Sequence, residues 1–309
     1  MSIFFSRPVS RFVFSLALTA FSGIAVASVS TQALSKNAAN AVEPAASFAA
    51  AASFIDSKLS FGRETVNVTW FLPGTEQPKG FVVLFHGFAR NKGHMRDLAS
   101  RLQKEGLVVL TPTLGLGLIN NLEFLKAMAE GLRTMEKVPG TDVALPANVV
   151  VAGHSAGGKN AAILASLLRT SLGERLVGAL LLDPVERDGQ LEGALKALEG
   201  TSVDVLSVLA RPSSCNANSN ATELLKRYSA DFKGIRFAKG SHCDAEGTST
   251  DLICRLPCGA PQKTTMESTQ AFAVNWILGF FEGSRRAAYF PGGDVLGGLL
   301  DTSEGSLLE

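Results

Sequence analysis

Short apolar runs alternate with amphipathic stretches from residue 65 onward. The runs predict β-strands, and the stretches with apolar residues at helical spacing predict helices. This alternation is typical of a mostly parallel sheet with helices on both faces, so we expect an α/β fold in one domain. The predicted strands are 65–72, 81–85, 107–112, 148–152, 176–182, 203–210 and 234–238, and the predicted helices are 95–105, 122–135, 160–168 and 266–281.

The beginning of the chain has a different pattern. Two arginines precede an apolar stretch that ends in Ala25-Val26-Ala27, the small-x-small pattern read by signal peptidases. We therefore predict a signal peptide at 1–27, with a secreted or periplasmic mature protein. The apolar stretch is shorter than the roughly 20 residues that span a bilayer, and no later segment predicts an integral membrane span. The absence of acidic residues before Glu43 also fits import into a chloroplast or another organelle, which remains the alternative.

Composition divides the rest of the chain. Residues 28–55 are rich in Ala and Ser, which predicts a linker. Residues 56–283 are the predicted α/β domain, and residues 284–309 are predicted to form a loosely held Gly-rich tail. The chain is 46% hydrophobic, which excludes a disordered protein. Its 29 basic and 28 acidic side chains form no long run of one sign, so we expect no nucleic-acid partner. The oligomeric state stays open.

All four cysteines lie in one C-terminal stretch, at Cys215, Cys243, Cys254 and Cys258. An even number in an exported chain favours two disulfides, and three pairings are possible. A zinc site is the competing interpretation, but Cys254 and Cys258 have no second closely spaced pair to complete it. The sequence implies neither a metal nor an organic cofactor.

The segment Gly153-His154-Ser155-Ala156-Gly157 follows a β-branched run and precedes a predicted helix. A G-x-S-x-G sequence between a strand and a helix is typical of a nucleophile elbow, in which Ser lies on a strained turn. Over residues 60–283 the chain resembles the α/β-hydrolase superfamily. The resemblance implies a catalytic triad in the chain order Ser, acid, His, with Ser155 as the nucleophile.

A serine hydroxyl needs a base to take its proton. In the chain order of the triad this base is a histidine that lies after Ser155, at the end of a later strand. His242 has the required order and location. His86 and His94 precede Ser155, and we expect the His154 side chain, within the elbow, to point away from the serine.

The acid is harder to assign, because the loop at 211–218, its commonest superfamily position, contains no carboxylate. Asp183 ends the preceding strand, a position that some lipase-like members use, and an imidazole N–H would compensate its charge. Asp183 is therefore the predicted acid, and Asp188, Glu186 and Asp244 are the alternatives.

Two backbone N–H groups should form the oxyanion hole, which stabilises developing negative charge. Ala156, directly after the nucleophile, supplies one. The resemblance implies that Phe88, after His86-Gly87, supplies the other.

Within the superfamily, the Gly-His-Ser elbow, Leu182-Asp183-Pro184-Val185 and the cysteine-rich stretch after His242 are similar to the chlorophyllase-like branch, which also contains lidless cutinase- and polyester-hydrolase-like enzymes. Plant chlorophyllases have a large basic residue where this chain has Ala156. The resulting prediction is a serine-dependent carboxylic ester hydrolase acting on an apolar or bulky, lipid-like ester, with no large lid domain. A chlorophyllase proper, an acyltransferase and a non-catalytic binding protein with this fold are the alternatives.

Overall fold

The structure is a computed structural model that describes residues 51–228 and 230–309. The predicted signal peptide, and the predicted linker up to residue 50, lie outside the described residues. All described residues belong to one compact unit. Within them, no helix combines the length and the apolar character needed to cross a membrane.

Nine strands in the described part of the chain form one sheet. They are β1 Ser53–Phe61, β2 Glu64–Leu72, β3 Gly80–Phe85, β4 Leu107–Pro112, β5 Val149–His154, β6 Leu176–Leu182, β7 Asp204–Leu209, β8 Gly234–Phe237 and β9 Gly305–Leu307. Their order in the sheet is β1-β2-β4-β3-β5-β6-β7-β8-β9. The strands from β4 to β8 in this order are parallel, whereas β1, β2 and β9 pair antiparallel with their neighbours.

Helices cover both faces of the sheet. The α-helices among the described residues are α1 Arg96–Lys104, α2 Leu122–Thr134, α3 Ala156–Leu172, α4 Gln190–Leu198, α5 Thr222–Arg227, α6 Leu252–Cys258, α7 Lys263–Glu282 and α8 Asp294–Asp301. Apolar side chains of α2, α3, α4 and α5 pack in one core cluster, and those of α1, α7 and α8 pack in a second. Short 3-10 helices occupy Lys92–Met95, Gly173–Arg175, His242–Ser249 and Ala287–Tyr289.

The central strand β3 shows why its sequence is a continuous apolar run. Phe81, Val83 and Phe85 pack in the first cluster, whereas Val82 and Leu84 pack in the second. Successive side chains of a strand point to opposite faces, so a strand with helices on both sides needs apolar residues at every position. The predicted sheet with helices on both faces is confirmed.

Both ends of the domain differ from the sequence-based expectations. One edge strand is β1, which begins at Ser53 within the predicted linker and precedes the first predicted strand, 65–72. The predicted loose tail at 284–309 instead contains α8 and β9, and β9 pairs with β8. Leu296 and Leu299 are buried in the second core cluster, which explains why this Gly-rich segment packs against the domain.

Candidate active site

Ser155 lies between β5 and α3, at the carboxyl edge of the sheet. Its φ of 57° and ψ of −125° are strained values for a residue with a Cβ atom. The turn is tight because α3 passes close to the strand ends: a Cβ atom on Gly157 would lie 2.2 Å from His86 O, and one on Gly153 would lie 2.2 Å from Gly157 O. These two glycines therefore allow the serine to stand at the tip of a sharp turn.

Asp183 and His242 are brought together at the same edge. Asp183 directly follows β6 with a positive φ of 43°, and its Oδ2 atom lies 2.6 Å from His242 Nδ1. Both side chains are buried. The carboxylate accepts a hydrogen bond from the Nδ1–H group, so the proton of the neutral ring stays on Nδ1 and Nε2 is the basic nitrogen.

Ser155 and His242 line one cavity of about 240 Å³. No hydrogen bond joins the Ser155 hydroxyl to the His242 ring in this structure. Contacts of this kind are often long without substrate and shorten in the substrate complex. The structure thus places the three predicted triad residues at one site and shows one of the two hydrogen bonds that a triad needs.

Asn216 is a member of the site that the sequence reasoning missed. Its amide donates to Asp183 Oδ2 over 2.9 Å and to Arg211 O over 2.8 Å, and its own oxygen accepts from the backbone of Ser213 and Ser219. The Asp183 carboxylate also accepts the Ala210 N–H at 3.1 Å. These bonds hold the carboxylate against the imidazole. The absence of an acid from the loop at 211–218 was the available signal, because the loop contributes an amide instead.

The two predicted oxyanion donors flank the nucleophile. Ala156 is the first residue of α3, and Phe88 lines the cavity. Neither backbone N–H donates to another residue within 51–228 and 230–309. A Cβ atom on Gly87 would lie 3.1 Å from the Ser155 Cβ atom, so the Gly87-Phe88 backbone passes directly beside the serine. Two free donors near one hydroxyl can stabilise an oxyanion.

The alternative acids have other partners. Asp188 accepts two hydrogen bonds from the buried Lys159, and Glu186 accepts four from the backbone at the start of α4. Asp244 accepts the Ser241 N–H. None of these carboxylates bonds to the His242 ring.

Two further histidines surround the serine. His86 is buried, its Nε2 accepts the Leu114 N–H at 2.9 Å and its Nδ1 donates to Gly87 O, while burial lowers its pKa to about 4. His154 was expected to point away from the serine, but it lines the same cavity, and its ring centre lies 4.5 Å from that of His242. Burial and the neighbouring His242 hold the His154 pKa well below its usual range. His154 is therefore a neutral ring packed against the candidate base.

Both disulfides lie beside the Asp183–His242 pair. Cys243 pairs with Cys254 and Cys215 with Cys258, which resolves the pairing that the sequence left open. All four sulfurs are bonded, so Cys243, Cys254 and Cys258, although close together, offer no thiolates to a zinc ion. Cys243 follows His242 and Cys215 precedes Asn216. The bridge from Cys243 thus fixes the chain next to His242, and the bridge from Cys215 fixes the chain next to Asn216.

Comparisons with known proteins now identify the family. Residues 82–251, which are 170 of the 309 residues, match the Alpha/beta hydrolase family. The chain belongs to this family. The hydrolase is similar in fold to a dienelactone hydrolase from Anabaena variabilis ATCC 29413, with a TM-score of 0.53 and 15% identity over 74% of this chain and 97% of that chain. Among curated proteins, no significant match was found. The predicted α/β-hydrolase fold is confirmed, and neither match distinguishes the chlorophyllase-like branch.

A buried ion pair joins the loop after β3 to the segment that contains His242. Arg90 donates to both carboxylate oxygens of Glu246 over 2.7 Å each, and it lies 2.9 Å from Asp251, the N-cap of α6. The Arg90 and Glu246 side chains are almost fully buried. In this hydrolase, Arg90 therefore ties the Phe88 loop to the His242 segment and to α6.

We expect Glu246→Gln to lower the free energy of unfolding by about 1 to 3 kcal/mol, because the buried Arg90 guanidinium loses its buried carboxylate partner and keeps only the partly exposed Asp251. Urea unfolding followed by circular dichroism measures the loss. Glu123→Gln, which breaks the exposed pair with Lys126, is the matched control and should change little. Equal effects of the two substitutions would contradict a buried, structurally required pair.

Asp244 should make the stability of the hydrolase depend on pH. Burial, reinforced by the charge of Asp183, raises its pKa from 3.8 to about 6. Between these values the folded state holds a proton that the unfolded state has released, so stability falls as the pH rises through this window.

We therefore expect Asp244→Asn to be more stable than wild type at about pH 8, by on the order of 2 to 3 kcal/mol, because it removes the cost of the buried charge. The advantage should shrink towards about pH 4. Urea unfolding at both pH values tests this, with the exposed Asp142→Asn as control. The same difference at both pH values would refute the explanation.

Proposed function

We propose that this hydrolase cleaves carboxylic esters through an acyl-enzyme on Ser155. The observation that supports the proposal most directly is the Asp183 carboxylate, 2.6 Å from Nδ1 of His242, because the His242 ring lines the same cavity as Ser155. A carboxylate in that place orients the imidazole and stabilises the imidazolium that forms when the ring takes a proton. A binding protein would need none of these groups.

In the proposed mechanism, the Ser155 oxygen attacks the ester carbonyl while His242 Nε2 takes the hydroxyl proton. The N–H groups of Phe88 and Ala156 stabilise the resulting oxyanion. Collapse of the tetrahedral intermediate breaks the bond to the alcohol, which leaves with the proton from His242. A water molecule, deprotonated by His242, then attacks the acyl-enzyme. The bond to the Ser155 oxygen breaks, His242 returns the proton to that oxygen, and the carboxylic acid leaves.

The surroundings of the cavity favour an apolar ester that extends beyond it. The segment after Asp183 contains only α4, whose apolar side chains are buried in the first core cluster, so it provides no lid. A volume of about 240 Å³ is below that of most ligand pockets. We therefore propose that the cavity receives the acyl group or the alcohol, and that the remainder of the ester lies outside.

We also propose that the protein is exported. The predicted signal peptide leads to an oxidising compartment, in which the two disulfides form and persist.

A fluorophosphonate probe together with chromogenic butyrate esters tests the proposal. We expect stoichiometric labelling of wild type on the peptide that contains Ser155, and release of the chromophore from the butyrate ester that the label abolishes. Labelling elsewhere, or hydrolysis that continues after complete labelling of Ser155, would refute the assignment.

A further inference from the structure

The short helix α6 has its apolar side outward. Leu252, Ile253 and Leu256 are 67%, 73% and 81% exposed, while Cys254 and Cys258 are buried beneath them. Amphipathic surface helices usually show the opposite arrangement. Three of the eight large apolar side chains that are exposed among residues 51–228 and 230–309 thus lie within five positions. We call these three residues the α6 rim.

The α6 rim is held rigidly. Disulfides from Cys254 and Cys258 fasten the helix to the His242 segment and to the Asn216 loop. Its N-cap, Asp251, contacts Arg90 and lies 3.2 Å from His94 Nε2. Two covalent bonds and these contacts prevent the helix from turning its apolar side inward. An exposed apolar patch that is fixed in this way indicates a binding surface.

The α6 rim is continuous with the candidate active site. Ile253 lines the cavity together with Ser155 and His242, and so does Phe88, which is 59% exposed. The outward side chains of α6 include one charged residue, Arg255, and no acidic one. Apolar material that rests on the rim therefore extends directly to the candidate nucleophile.

We propose that the α6 rim docks the hydrolase onto the surface of a water-insoluble ester, presented as droplets or as a solid. This inference rests on the proposed function and extends it to the physical form of the substrate. The cavity is too small for a long ester, and the rim is a protruding patch with side chains up to 81% exposed, which fits an extended apolar surface better than a single bound chain. Burial of the rim against that surface supplies the binding energy.

The test uses the double variant Leu252→Gln/Leu256→Gln, which leaves the cavity lining unchanged and keeps good helix formers. Tributyrin is supplied below its solubility limit and then as an emulsion. We expect the variant to match wild type within about twofold on dissolved tributyrin and to be at least about tenfold slower on the emulsion, because it lacks the two exposed leucines that docking on the droplet would bury. Phe54→Gln/Val295→Gln, which removes exposed apolar side chains away from the cavity, should behave as wild type on both.

A second measurement separates docking from chemistry. Ser155→Ala should sediment with polycaprolactone particles as wild type does, and Leu252→Gln/Leu256→Gln should stay in the supernatant. Equal losses on dissolved and emulsified tributyrin, or no loss on either, would overturn the proposal. Wild-type dimers that the double variant converts to monomers in gel filtration would also overturn it, because a second copy would then cover the rim. Rim-dependent sedimentation of a wild type that hydrolyses no dissolved ester would refute the proposed function and leave docking intact.

Discussion

Ser155→Ala should lower kcat for ester hydrolysis by about 10⁴ to 10⁶-fold, since removal of the nucleophile leaves only binding and the oxyanion donors. The variant should fold normally, because the Ser155 hydroxyl donates to no other described side chain, and its backbone bonds to Leu182 O and Gly158 N are retained. A chromogenic butyrate ester and circular dichroism give the two measurements. Loss of fluorophosphonate labelling should accompany loss of turnover.

Ser166→Ala is the matched control for this substitution. Ser166 is a half-buried serine of α3, the helix that begins directly after Ser155, and its hydroxyl donates to Ile163 O. It should keep wild-type activity. A Ser155→Ala protein that retains more than about a tenth of the wild-type rate would exclude Ser155 as the nucleophile, because removal of a catalytic nucleophile lowers kcat far more than tenfold.

Asp183→Asn should lower kcat by about 10³ to 10⁴-fold with little change in KM, because an amide no longer selects the Nδ1–H tautomer or stabilises the imidazolium. The asparagine has the shape of aspartate and can still accept the Ala210 N–H, but its NH₂ group faces donors from His242 and Asn216. We also expect a stability loss of about 1 to 3 kcal/mol from the unpaired donors. Steady-state kinetics and urea unfolding separate the two effects.

Asp188→Asn tests the choice among the carboxylates. Asp188 bonds to Lys159 and not to the imidazole, so its replacement should leave kcat within about a factor of ten of wild type. A larger loss of kcat in Asp188→Asn than in Asp183→Asn would identify Asp188 as the acid and refute the proposed Asp183–His242 pair.

The central part of the fold could be predicted from the sequence because it is governed by local patterns. Strands β4 and β6 have the predicted bounds, since each is an apolar run with turn residues nearby. The strand β9 was missed because three residues carry no periodicity, and it exists only through its pairing with β8. The helix α6 was missed because its exposed side is apolar and its buried side consists of cysteines.

The same division applies to the candidate site. Ser155 and His242 follow from a motif and from chain order, and Asp183 from its position after an apolar strand. The contacts of Asn216 and the Arg90–Glu246 pair join segments 33 and 156 positions apart, and no local pattern encodes them. The disulfide pairing likewise depends on which loops meet in space, so four cysteines alone leave it open.

The two bridges lie in the loops around His242 and Asn216, so the yield of active protein should depend on their oxidation. The sheet can assemble from apolar strands alone, whereas the loops that flank the imidazole depend on sulfur oxidation. Synthesis in a reducing cytoplasm should therefore yield protein with a native-like circular dichroism spectrum, of which only a small fraction hydrolyses esters. Oxidation by air or by oxidised glutathione after purification should restore turnover without a comparable change in helix content.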